Sequence, residues 1–196
     1  MGDVMDVTSP HDALTIRPAR KTDARYMAAL VNYAGEGMPY YFWEKSANGG
    51  DPWAIGEQRA MRENGSFSYR NALIAERGHQ VLGMILYYPI ADIASAEDYA
   101  QMSPILVPLQ ELEDMAVSTT YVNVLAVYPN HRSKGIGSRL LAYAAKTCGK
   151  MSIIVSDANI GAWQLYERHG FVVKAQRPIV KKDWDGDGEN YVLLTK

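Results

Sequence analysis

Residues 122–141 read Val-Asn-Val-Leu-Ala-Val-Tyr-Pro-Asn-His-Arg-Ser-Lys-Gly-Ile-Gly-Ser-Arg-Leu-Leu, and no other stretch restricts the fold as tightly. A run rich in β-branched and aromatic residues is stopped by Pro129, and a short polar loop follows. Ile136, Leu140, Leu141, Ala144 and Cys148 then recur at helical spacing. The pattern predicts a strand over 120–128 and a helix that opens near Lys134 and continues over 138–147. That helix begins with two glycines, Gly135 and Gly137. A glycine costs about 1 kcal/mol against alanine inside a helix, somewhat less near an end, and an amphipathic helix has no packing use for both. The first-turn N–H groups have no intrahelical acceptor, and the helix dipole makes that end positive. A phosphate or diphosphate is the natural occupant, with Arg132 and Lys134 adding charge beside it. A tight strand-to-helix turn that needs glycine only for its geometry explains the same loop. The phosphate loop G-x-x-x-x-G-K-[ST] is absent, and the dinucleotide fingerprint lacks its third glycine, since Leu140 stands there.

A second element runs from Asp157 to Phe171. The spacing predicts a helix over 159–169 ended by Gly170. Asn159, Ala162 and Tyr166 share one face, so that face offers an amide, a small residue and a phenol. Taken singly, Asn159 reads as a helix cap and Tyr166 as packing.

Together the two elements resemble the GNAT superfamily of acyl-CoA N-acetyltransferases. The resemblance rests on Asn123-Val-Leu-Ala-Val127, on Arg132-x-x-Gly135-x-Gly137, and on Asn159-x-x-Ala162-x-x-Leu165-Tyr166-x-x-x-Gly170-Phe171. It implies an α/β (α+β) fold: a mixed, mostly antiparallel, twisted sheet of six to seven strands, flanked by helices and split in a V at the central strand. Acetyl-CoA would lie in that V, with no metal. Backbone amides of Arg132, Ser133, Lys134, Gly135, Ile136, Gly137 and Ser138 would hold the diphosphate. The backbone of Leu125, Ala126 and Val127 would pair with the pantetheine arm, and an N–H there would polarise the thioester carbonyl. Asn159 and Ala162 would flank the arm. Tyr166 would protonate the departing thiolate. No acyl-enzyme is needed, so Cys148 is expected to be core, mid-helix on the apolar side.

The general base is not legible. Asn123 could hold a water, and Glu111, Glu113, Asp114 and Glu36 are the carboxylates to weigh. For the acceptor amine, Glu36, Tyr40, Tyr41, Trp43, Trp53, Tyr69 and Arg70 are candidate lining. An aromatic pocket with a carboxylate suits an amine or an amphipathic cation. Core packing or a homodimer interface would use the same aromatics.

The remaining readings are exclusions. The 196 residues fit about one domain, expected over 13–196 behind a loose tail at 1–12. With 20 basic against 22 acidic residues, the chain has no electrostatic footprint for nucleic acid or an anionic membrane. A lone cysteine excludes a disulfide scaffold. The acidic N-terminus does not read as a secretory signal, and the uncharged stretch 115–131 is too polar to span a bilayer, so a soluble cytoplasmic protein is expected. The 183–188 run Asp-Trp-Asp-Gly-Asp-Gly imitates a calcium loop, but its twelfth position is Leu194, so it reads as a solvated hairpin loop. His79, His131 and His169 lack metal-ligand spacing. Three functions remain: an N-acetyltransferase, an acyl-CoA-binding or sensing domain of the same fold without turnover, and a nucleotide-binding protein using the same loop.

Overall fold

The computed structural model describes residues 13–196; the tail expected over 1–12 lies outside the described residues. Seven strands form one sheet in the order β1-β2-β3-β4-β5-β7-β6. They are β1 (Leu14–Pro18), β2 (Ala72–Arg77), β3 (Gln80–Pro89), β4 (Thr120–Val127), β5 (Met151–Ser156), β6 (Val172–Pro178) and β7 (Asn190–Thr195). Every neighbouring pair is antiparallel except β4 and β5. That one parallel pair needs a crossover, which α6 (Ile136–Ala144) supplies.

Strand alternation splits the core into two layers. Leu73 and Ala75 of β2 point to the face covered by α6, with Ile136, Leu140 and Leu141. Ala72 and Ile74 point to the other, where α1 (Ala24–Ala34) buries Met27, Leu30 and Val31. At the far end β7 sends Val192 and Leu194 to the α6 face. Its Tyr191 and Leu193 instead meet Leu112 of α5 (Val107–Asp114) and Met38 of α2 (Met38–Ala47).

The structure revises several local readings. The aromatic segment broken by glycine and proline is a helix, α2. Gly37, at φ 85°, takes the left-handed N-cap position, and proline sits in the first turn, where its missing N–H costs nothing. The next helix, α3 (Pro52–Ala60), is capped by the Asp51 carboxylate. The stretch 91–118 holds two short helices. These are α4 (Ala96–Gln101), opened by a Ser95/Asp98 capping box, and α5, with Pro108 in its first turn. Cys148 is not mid-helix: α6 ends at Ala144, and Cys148 lies past it, half-buried against the core. The 183–188 loop is only partly solvated, since Gly186 and Gly188 are buried.

Candidate active site

The sheet opens where β4 and β5 part. Their pairing runs through Thr120, Tyr121 and Val122, opposite Met151, Ser152 and Ile153, and stops there. The next residue, Asn123, is the extra residue of a bulge: on β3, Leu86 faces Val124 and Tyr87 faces Val122. A bulge bends its strand and re-aims side chains. Beyond it, the β4 edge from Asn123 to Val127 has no partner on β5. Alternation decides which groups face that free edge. The Ala126 carbonyl points at Gly83 on β3, and the Tyr128 N–H donates to Leu82 O at 2.9 Å. Leu125 and Val127 therefore present their backbone groups to the open side. Arg132 Nε donates to Val127 O there at 3.1 Å.

A cavity of about 230 Å³ fills the gap. Its walls include Asn123 and Leu125 of β4, residues 153–156 of β5, and Asn159, Ala162 and Tyr166 at α7 (Ile160–Arg168). Asn159 is the N-cap of α7: its Oδ1 accepts from Ala162 N–H at 3.2 Å while the residue lines the cavity. Tyr166 is 4% exposed, and burial pushes its hydroxyl well above the ordinary phenol value, so it stays protonated at neutral pH.

The loop before α6 is built to offer donors. Ser133 (φ 59°) and Gly135 (φ 75°) take left-handed conformations. Among the described residues, no acceptor meets the backbone N–H groups from Ser133 through Lys134, Gly135, Ile136 and Gly137 to Ser138. Gly135 is explained by its φ alone. Gly137 is not explained by crowding, since an added Cβ would find only Leu165 Cδ2 at 3.4 Å and Val127 Cγ2 at 3.9 Å. The Arg132 N–H instead donates to Pro129 O, and Lys134 Nζ donates to Asn130 O at 2.8 Å. Ser138 Oγ lies 2.5 Å from His169 Nε2, tying this loop to the end of α7.

Of the seven acceptor-side residues singled out from sequence, only Glu36 lines the cavity. Trp43 is 2% exposed and part of the α1-side core, because Gly56 leaves room for its ring. Tyr40 packs on Trp53 (5.2 Å between ring centroids), outside the lining. Tyr69 and Arg70 sit on the surface around Glu63, whose carboxyl Lys21, Arg70 and Tyr69 hold down at about 2. Tyr41 lies against Phe42 and Lys45.

Of the other carboxylates, Glu111 and Asp114 are occupied elsewhere. Glu111 pairs with Arg177. Asp114 accepts from Ala94 N–H, Tyr99 and Gln110. Glu113 is absent from the lining. Sequence reasoning missed Tyr121, Trp184 and Tyr191, which line the cavity. For Trp184 a signal existed in the neighbouring glycines. A Cβ at Gly186 would sit 2.3 Å from the Trp184 ring, and one at Gly188 would sit 2.1 Å from Ser156 Oγ, so both glycines let this loop close down on the site.

Among the described residues there is no group of three or more His, Cys, Asp and Glu that could hold a metal ion, and no helix long and apolar enough to cross a membrane.

Comparison with known proteins gives one family and many solved structures of similar fold. The model of the Acetyltransferase (GNAT) family matches residues 38–171. No curated protein matches the chain. Among solved structures, an N-acetyltransferase from Staphylococcus aureus Mu50 is similar at 20% identity and TM-score 0.63, over 93% of this chain and 100% of that one. A mosquito arylalkylamine N-acetyltransferase like 5b gives 17% identity and TM-score 0.62, over 94% and 99%. The putative acetyltransferase yncA from Salmonella typhimurium, solved with its cofactor acetyl-CoA, gives 22% identity and TM-score 0.53, over 94% and 93%.

Proposed function

The chain belongs to the GNAT acetyltransferase family, and we propose that it is an N-acetyltransferase, moving the acetyl group of acetyl-CoA to a primary amine by direct attack in a ternary complex. One observation carries the reading: a free strand edge and a buried phenol meet at the cleft between β4 and β5, and a run of unpaired amides follows the far end of that edge, with Gly137 beside Val127 and Leu165. The cleft fits the cosubstrate. The Leu125 and Val127 edge can pair with an extended amide-bearing arm, as an added strand would. The amides from Ser133 to Ser138 can hold a diphosphate at the positive end of α6. Ala162 leaves width beside Asn159. A structural neighbour holding acetyl-CoA supports the same choice.

When bound, acetyl-CoA supplies an activated acyl thioester. The chain's own groups do the rest. A backbone N–H at Leu125 or Val127 donates to the carbonyl oxygen as negative charge develops there. The amine nitrogen forms the new C–N bond, the C–S bond breaks, and the thiolate takes the proton that Tyr166 holds at Oη. The amine's own proton leaves to a carboxylate or through water held by Asn123, which is exposed on the bulge at the cavity wall.

The test is release of the CoA thiol over a panel of primary amines, with calorimetric CoA binding measured in parallel. Amine-dependent release, lost in Tyr166→Phe while CoA binding persists, is the expected result. CoA binding with no amine acetylated, and equal binding by Tyr166→Phe, would instead favour the acyl-CoA-sensing alternative.

A further inference from the structure

Glu36 and Tyr191 on the cavity wall are polar groups that the fold leaves short of partners. Glu36, between α1 and α2, stands at φ 51°, a conformation that residues with side chains rarely adopt. Its carbonyl accepts from the Trp184 indole N–H at 3.3 Å, which fixes the residue against the β6–β7 loop. The residue lines the cavity. Burial pushes its carboxyl above the usual range, nearby Asp187 adds to the push, the Asp187 backbone N–H partly offsets it, and Asp157 adds a little more. Among the described residues no Lys or Arg pairs with Glu36, and none lines the cavity.

A second, independent observation lies on the same wall. Tyr191 is 7% exposed, and its hydroxyl is buried without any hydrogen-bond partner. The Glu36 carboxylate is near enough to add to the upward push that burial gives this phenol. Buried polar atoms are nearly always paired, so a lone hydroxyl in a cavity wall needs explaining.

We propose that the acceptor is a small amine bound as its ammonium ion, with an apolar body and no carboxylate near the nitrogen, held by Glu36 and the Tyr191 hydroxyl. This inference rests on the proposed amine acetylation. An ammonium group has three N–H donors and no acceptor. It can donate to the Glu36 carboxylate and to Tyr191 Oη together, and it attacks the thioester only after one N–H proton has passed to Glu36 or to water, which frees the nitrogen lone pair. The apolar body meets Met38, Pro39, Leu109 and the Trp184 ring. A carboxylate on the acceptor would find no cation in the lining and would face Glu36, with Asp157 and Asp187 behind it. The cavity of about 230 Å³ also has to admit the reacting end of the cosubstrate, so the acceptor is small.

The test compares phenethylamine with phenylalanine, which differ by the carboxylate alone. Each is titrated calorimetrically into the full chain saturated with CoA, and each is assayed for acetyl transfer from acetyl-CoA. Phenethylamine is expected to bind at least about tenfold tighter. Glu36→Gln is expected to weaken phenethylamine and shrink that gap to about threefold or less, with CoA affinity unchanged. Tyr191→Phe removes a hydroxyl that lacks a partner, so its melting temperature holds or rises while phenethylamine affinity falls. Equal binding of the two ligands, binding of neither, or a gap that survives Glu36→Gln would overturn the proposal. Discrimination in binding without acetyl transfer supports the acceptor site and removes the proposed activity. Transfer to both compounds at equal rates does the reverse.

Discussion

Gly83 of β3 stands opposite Val127 of β4 and so close to the preceding residue, Ala126, that a Cβ on Gly83 would sit 2.6 Å from the Ala126 carbonyl oxygen. The obstacle is backbone, so it cannot swing aside as a long side chain would. Gly83→Ala forces the two strands apart at the residue that alternates with Leu125 and Val127 on the free edge. The expected result is a loss of about 1–3 kcal/mol in urea unfolding, together with weaker CoA binding. A variant that loses stability but binds CoA unchanged would separate this contact from the cleft.

The two glycines of the α6 loop are predicted to behave differently. Gly135 stands at φ 75°, so Gly135→Ala forces a left-handed alanine and costs about 1–2 kcal/mol of stability. Gly137 has a helical backbone and only ordinary contacts around an added Cβ. Gly137→Val is therefore expected to lower the melting temperature by a few degrees at most, yet to weaken CoA at least about tenfold by filling the approach to the amides. Thermal melts with and without CoA read both quantities. If Gly137→Val left CoA affinity intact, the diphosphate would have to bind elsewhere.

What could be read from sequence follows the range over which each signal acts. The strand–loop–helix around Gly135 is legible because every contributing residue is a chain neighbour of the next. The same holds for Asn159, Ala162 and Tyr166, which one helical period brings to a single face. The acceptor end is not legible, because Glu36 and Trp184 meet across 148 positions and no local pattern records that contact. The aromatic segment misleads for a related reason. Trp43 and Glu36 are close in sequence, but Gly56 on the next helix draws Trp43 into the core while Glu36 stays on the cavity wall. The V itself was expected from the family resemblance, yet the bulge that coincides with it depends on pairing between strands 30 or more residues apart, Leu86 with Val124 and Tyr87 with Val122.

Tyr166→Phe isolates proton transfer from architecture. The ring packs against Phe171 at 6.0 Å between centroids, and phenylalanine keeps that contact. Stability and CoA binding should hold, while kcat falls by about 10²–10⁴, the usual contribution of a positioned acid. Because burial raises the phenol, its protonated form persists through neutral pH, and the wild-type rate should show no loss from Tyr166 ionisation below the ordinary tyrosine range. A stopped-flow or thiol-release profile up to mildly alkaline pH checks this.

Glu113 offers a stability prediction that leaves the cleft alone. It lies near the end of α5, close to Tyr88 and Tyr121, whose rings meet edge-on at 5.7 Å. Burial first, and neighbouring Asp114 second, push its carboxyl from 4.5 up to about 7. The folded state therefore keeps a proton that the unfolded state has already released. Between pH 4.5 and about 7 the folded chain binds more protons than the unfolded one, so this group's contribution to stability declines as pH rises through that window and stays lost above it. Glu113→Gln removes the titration. It is expected to stabilise the chain by about 1–3 kcal/mol at pH 8 and by much less at pH 5, read from urea midpoints at the two pH values. Because Glu113 does not line the cavity, CoA affinity should be unchanged. An equal gain at both pH values would mean that the side chain's shape, and not its buried charge, sets the effect.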